Sequence, residues 1–124
     1  MAKSEHLGEF EQLALLAVLR LGADAYGATI QEELDRTAGR SSAISSIYIT
    51  LTRLESKGFV RSSMEAPATG PSGESAAAGR GGARRGGKPR RYFHLEPAGL
   101  DALKASRATL INMWDGVEQE LETA

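Results

Sequence analysis

Cysteine is absent from this chain, which removes disulfides and thiolate metal sites from consideration. Histidine is almost absent: His6 and His94 are the only two and lie far apart in sequence, a poor basis for a metal site. No apolar run reaches transmembrane length and no signal-peptide core follows the N-terminus, so a cytoplasmic protein with no membrane partner is expected. Aromatics are scarce, 6% of residues within a hydrophobic fraction of 41%, enough for only a modest core in 124 residues. One small domain with an appended helix fits that size, and self-association would bury more surface. The parts of an enzyme are missing as well. There is no nucleophile with a partner base, no clustered carboxylate pair and no glycine loop between a strand and a helix. Neither catalysis nor a bound cofactor or metal is expected.

Acid is missing from one stretch in particular. Arg80, Arg84, Arg85, Lys88, Arg90 and Arg91 stand together with no carboxylate among them, so the net charge of -1 divides into +6 there and -7 elsewhere. A basic segment on an acidic body suggests one local polyanion contact.

What is present is helical. Phe10, Leu13, Leu16, Ala17 and Leu21 line one side of a first helix over residues 8–21, ended by Gly22. A second helix is expected over 25–37, with Asp24 as N-cap, Ile30 and Leu34 buried, and Gly39 as its stop. The polar turn Gly39-Arg40-Ser41-Ser42 leads to a third, capped by Ser42, in which Ile44, Ile47, Leu51 and Leu54 step by three and four and Gly58 ends the run. The opposite face carries Ser45, Ser46, Ile49, Thr52 and Arg53, again without a carboxylate. Such a face fits a major groove: an exposed Ile49 suits a thymine methyl group, and Arg53 suits a guanine edge or a phosphate. Tyr48, at the boundary of the two faces, is either a half-buried core aromatic or a phosphate donor. Tyr26 begins the second helix, whose unpaired N–H groups can meet a phosphate, and Arg40 in the turn is a further DNA-binding candidate.

After Gly58 the period changes to that of strands, Phe59–Met64 and Arg90–Leu95, around a Gly-, Ala-, Ser- and Pro-rich segment. The fold expected is mainly α: a winged helix-turn-helix of three helices and a two-stranded wing, plus a C-terminal dimerisation helix. Residues 1–96 form the DNA-binding domain, 65–89 a long flexible basic wing loop, and 97–124 the last helix. The loop admits three readings: a solvated charge run, a phosphate or minor-groove contact through Arg84, Arg85, Lys88, Arg90 and Arg91, or an RGG-like segment for RNA. Its frame of strands after a helix-turn-helix favours DNA. In the last helix Leu100, Leu103, Arg107, Leu110, Trp114, Val117 and Leu121 repeat every 3.5 residues, the seam of a helix packed lengthwise on another. Folding back on its own domain is the alternative, but a self-paired helix better explains the length. Trp114 is a packing anchor there or, if two copies meet, half of a sandwich for a flat effector.

With these residues assembled, the chain resembles the PadR family of transcriptional regulators over nearly its whole length. Leu7-Gly-Glu-Phe-Glu-Gln-Leu13 resembles the family's first-helix opening, and Tyr26-Gly27 with Ile30 its second helix. Tyr48-x-x-Leu51-x-x-Leu54-Glu55-x-x-Gly58 resembles its recognition helix, and Arg91-Tyr-Phe-x-Leu95 with Pro97-Ala-Gly99 its second wing strand and the turn beyond. The resemblance implies a homodimeric repressor on an inverted-repeat operator of double-stranded DNA, released by a small aromatic or drug-like molecule. It implies pairing through the C-terminal helix (Leu100, Leu103, Leu110, Trp114, Val117, Leu121), and it makes Tyr48 a DNA contact and Arg90 and Arg91 wing-base cations. Two departures stand out: Glu96 in place of the usual capping threonine, and an unusually long wing. A winged-helix module that docks an acidic protein partner through its basic loop is the alternative function.

Overall fold

A computed structural model of the chain describes residues 7–65 and 89–123. Its elements are α1 (Glu9–Leu21), a 3-10 turn (Gly22–Asp24), α2 (Gly27–Ala38), α3 (Ile44–Ser56), β1 (Val60–Glu65), β2 (Arg90–Leu95), α4 (Pro97–Trp114) and α5 (Glu118–Thr123). The two strands pair antiparallel, with Val60 opposite Leu95 and Glu65 opposite Arg90. This is the expected winged helix-turn-helix: three helices, then a two-stranded ribbon.

The core forms where α1, α2 and α3 converge on the ribbon. Ala14, Leu15 and Val18 from α1, Ile30 and Leu34 from α2, and Ile47, Leu51 and Leu54 from α3 meet Phe59, Val60 and Phe93. Two buried carboxylates tie the helices together. Glu33 on α2 accepts from Arg20 Nε (2.6 Å), Arg36 Nη2 (2.6 Å) and the Thr37 hydroxyl (2.7 Å). Glu11 on α1 accepts from the Gly8 N–H (2.8 Å) and from Lys57 Nζ (3.0 Å) at the end of α3.

Several boundaries differ from the sequence reading. In α1 the buried set is Ala14, Leu15, Ala17 and Val18, whereas Leu16 is exposed and Phe10, Leu13 and Leu21 are half-buried. Asp24 is not the cap of α2: it ends the 3-10 turn, and Tyr26 takes the cap position. The cause lies in the ribbon. The Phe93 N–H donates to the Ala25 carbonyl (2.8 Å) and Tyr26 bridges Tyr92, which keeps residues 25–26 extended along β2 until Gly27. Thr29 completes the start by accepting from the Tyr26 N–H at 3.0 Å. Ser42 does not cap α3 either, since Ala43 holds that place and the Ser42 carbonyl instead accepts from Gln31 Nε2 (2.8 Å). Ile44, expected inside, is 37% exposed because the first turn of α3 runs past the core. Phe59 precedes the first strand rather than opening it, and is buried in the core.

The last helix departs most. Pro97 opens α4 as expected, but the helix ends at Trp114, Gly116 adopts a φ of +89°, and a short α5 follows. A left-handed glycine ends an α-helix, so the seven-residue rhythm through Val117 and Leu121 is not carried by one rod. The entry to α4 is tight. The Glu96 N–H donates to the Phe59 carbonyl (2.9 Å), and a Cβ on Gly99 would stand 2.3 Å from that same oxygen.

Candidate nucleic-acid interface

Helix α3 sorts its residues cleanly. Ile47, Leu51 and Leu54 are fully buried, and the hydroxyl-bearing Thr50 joins them inside. Ser45, Ser46, Ile49, Thr52 and Arg53 are all exposed, so the five residues expected on the outer face are brought together there. Ile49 is 58% exposed, flanked by hydroxyls at helical spacing. Arg53 is exposed and makes no ion pair among the described residues, so its guanidinium is available to a ligand. A face of short hydroxyl donors, the apolar Ile49 and one cation has the chemistry to enter a major groove.

Around this face the other candidates are engaged in local contacts. Tyr48 is half-buried, its ring 6.1 Å from that of Phe93, and its hydroxyl lies over the start of α2 where a Cβ on Gly27 would stand 2.6 Å away. Glycine at 27 is thus what lets the Tyr48 ring lie across that helix end. Tyr26 packs edge-on against Tyr92 (5.2 Å) and lies beneath the Arg90 guanidinium (4.3 Å). A side-chain hydrogen bond with Tyr92 raises the Arg90 pKa above its usual value, outweighing burial. Arg40 turns toward α1, where it pairs with Glu9 (3.2 Å) and lies 5.7 Å over Phe10. Arg91 pairs with Glu55 at 2.9 Å. Arg84, Arg85 and Lys88 lie outside the described residues.

Two carboxylates of the body, Glu11 and Glu33, have lowered pKa values. Burial pushes Glu11 up, but the Gly8 N–H together with Lys57 and Arg53 outweighs it and leaves the pKa below the ordinary value. Glu33 is also lowered, by the Thr37 hydroxyl and Arg20 foremost, against burial. Glu55, part of the recognition-helix signature but not among the expected DNA contacts, accepts from Ser62 and Arg91. Its signal in the sequence is an acid in the last turn of a helix, where the dipole disfavours it.

A second feature lies between α1 and α4. Leu16 and Leu19 of α1 face Leu100, Leu103, Leu110 and Trp114 across an apolar groove of about 360 Å³. Of the six residues expected at the helix seam, Leu103 is buried and Leu100 half-buried, while Leu110, Trp114, Val117 and Leu121 are exposed. Among the described residues no helix is long and apolar enough to cross a membrane, and no cluster of metal-ligating side chains occurs.

No protein-family model and no curated protein matches the sequence. Solved structures do. A PadR family transcription regulator from hypervirulent Clostridium difficile is 19% identical, with a TM-score of 0.67 over 92% of this chain and 99% of that one. A PadR family transcriptional regulator from Eggerthella lenta is 25% identical, with a TM-score of 0.62 over 94% and 88%. A PadR-like transcriptional regulator from Bacillus cereus is 18% identical, with a TM-score of 0.61 over 92% and 88%.

Proposed function

We propose that this chain, whose winged-helix fold is that of the PadR-like regulators, is a sequence-specific DNA-binding transcriptional regulator working as a homodimeric repressor. The observation that carries the reading is the outer face of α3, where Ser45, Ser46, Ile49, Thr52 and Arg53 project together from a helix that buries Ile47, Leu51 and Leu54 on its other side. Two such helices related by a two-fold axis would enter successive major grooves, ~34–36 Å apart, and so read an inverted repeat. The exposed apolar residues of α4 and α1 support the pairing, since a protein this small seldom leaves so many large apolar side chains in water.

Selection of bound sequences from random double-stranded DNA tests the reading. Enrichment of a palindrome with half-sites one helical turn apart is expected, and no enrichment at physiological salt would favour docking to an acidic protein partner instead. A small planar effector fits the groove beside Trp114, which joins apolar walls to the single cation-bearing pair Lys104 and Arg107. Quenching of Trp114 fluorescence by planar aromatic compounds, with release of DNA, is the expected result. A broad panel without response would leave Trp114 as packing.

A further inference from the structure

Glu55 occupies a costly place. It lies in the last turn of α3, where outward carbonyls make the helix end negative and a carboxylate is disfavoured. Its partners account for the position. The Ser62 hydroxyl on β1 donates to Oε2 at 2.9 Å, and Arg91 Nη2 on β2 donates to Oε1 at 2.9 Å. One carboxylate at the end of the recognition helix therefore takes one bond from each strand of the ribbon. The register puts Ser62 opposite Phe93 and Met64 opposite Arg91, so the two donors belong to alternate pairs and share a face of the ribbon. The Arg91 guanidinium is fixed further by lying 5.2 Å over the ring of Phe93, which is fully buried.

A two-stranded ribbon holds no fixed direction by itself and needs an anchor on the body. Tyr26 anchors one edge through its bridge to Tyr92. Val60 and Phe93 bury part of the face in the core, and Glu55 adds a polar tie to that same face from the helix that carries the proposed base-reading residues. We propose that Glu55 is a positioning residue for DNA recognition: through Ser62 and Arg91 it fixes the angle between the recognition helix and the wing, so that both meet the duplex in one geometry. This rests on the DNA-binding function proposed above. It also spends Arg91 on the clamp rather than on phosphate. Both members of the pair are about a third exposed (36% and 34%), so the contact adds little to global stability. Its product is orientation, which makes the role separable from folding.

The absence of cysteine gives a clean experiment. Asp35→Cys with Glu65→Cys, both exposed and neither part of the clamp, places two spin labels, one on α2 and one at the end of β1. A narrow distance distribution is expected in that background. Glu55→Gln and Arg91→Met, each added to it, should broaden the distribution. In unlabelled protein each change should weaken binding to the selected operator roughly tenfold, lose protection of the DNA flanking the half-sites, and leave the thermal midpoint nearly unchanged. The double variant should be no weaker than either single one, because both changes open the same clamp. Additive losses would overturn the proposal by showing that Arg91 contacts DNA directly. An unchanged distribution would overturn it too, as would broadening with intact affinity and protection, or affinity that falls only in step with the thermal midpoint. The spin-label arm needs no DNA. Wild-type protein that selects no DNA sequence would defeat the functional reading, and the positioning role with it, whatever the labels report of the clamp.

Discussion

Helices α3 and α4 share the pattern of an apolar stripe beside a polar face, and the fold treats them in opposite ways. In α3 the stripe of Ile47, Leu51 and Leu54 is fully withdrawn from water. In α4 only Gly99 and Leu103 are buried, while Leu110, Ile111, Met113 and Trp114 stay in solvent, Met113 at 72%. Burial is complete for Ile47, Leu51 and Leu54 of α3, whereas most of the apolar stripe of α4 remains in water. What α3 leaves outside is therefore free to be a ligand-reading surface. What α4 leaves outside is apolar surface open to a partner, and in the proposed function that partner is a second copy.

The contrast breaks first at α4. Leu110→Glu with Trp114→Glu puts two charges into the exposed stripe without touching the buried core. Self-association, followed by analytical ultracentrifugation, should be lost while the circular dichroism spectrum persists. Operator affinity should fall by about 10²–10⁴-fold, the gain that linking two half-site contacts provides. Wild-type protein that sediments as a single chain at micromolar concentration would remove the basis of this prediction.

One step around α3 sharpens the same contrast. Leu51→Ala should cost about 2–5 kcal/mol in urea unfolding, for lost burial and the cavity left behind. Thr52→Ala, its neighbour on the exposed side, should stay within about 0.5 kcal/mol of wild type yet weaken binding to the selected operator. Equal stability costs at the two positions would mean that the outer face is packed and unavailable.

Most of the body was legible because its signals are local. The stepping of Ile47, Leu51 and Leu54 marks α3 and its inner face, and Gly39 and Gly58 mark helix ends through their positive φ. The structure departs from the local pattern where a distant segment overrides it. Asp24 is a good cap by composition, but β2 draws residues 25–26 into an extended edge and moves the helix start to Gly27. Leu16 keeps the helical period of a core residue yet faces the α4 groove, because Leu15 and Val18 already fill the interior. At the C-terminus the sequence carries a 3.5-residue rhythm, and Gly116 is where the structure cuts it. The outer face of α3 was visible from spacing alone. The Glu55 clamp was not, since Ser62 and Arg91 come together only through the pairing of two strands.

The junction between the two regions gives a smaller effect. Gly99 lets the first turn of α4 approach the Phe59 backbone so closely that a Cβ would meet its carbonyl oxygen at 2.3 Å. Backbone cannot swing aside as a flexible side chain does. Gly99→Ala should therefore cost about 1–3 kcal/mol, the usual range for overpacking, and displace α4 relative to α1. Amide spectra should show the shift spreading along α4 and the facing side of α1 while Ile30 and Leu34 are unmoved. Changes confined to the core, with α4 unaffected, would mean that the junction is softer than its geometry implies.

The mildest test uses pH to loosen the buried half alone. Glu11 joins α1 to α3 through Lys57, and Glu33 joins α2 to α1 through Arg20. Both carboxylates have pKa values below the ordinary 4.5 in the folded protein. A group with a lowered folded pKa binds its proton more readily when unfolded, so its contribution is complete above about pH 4.5 and is lost as pH falls through the folded value. Thermal unfolding should therefore be nearly flat with respect to these two groups from pH 7 to 5, and drop below that. Glu33→Gln should start less stable at pH 7 and fall less steeply in acid, because the charged tie is already gone. If the variant and wild type decline in parallel, Glu33 is not the group that titrates, and the acid sensitivity belongs elsewhere in the molecule.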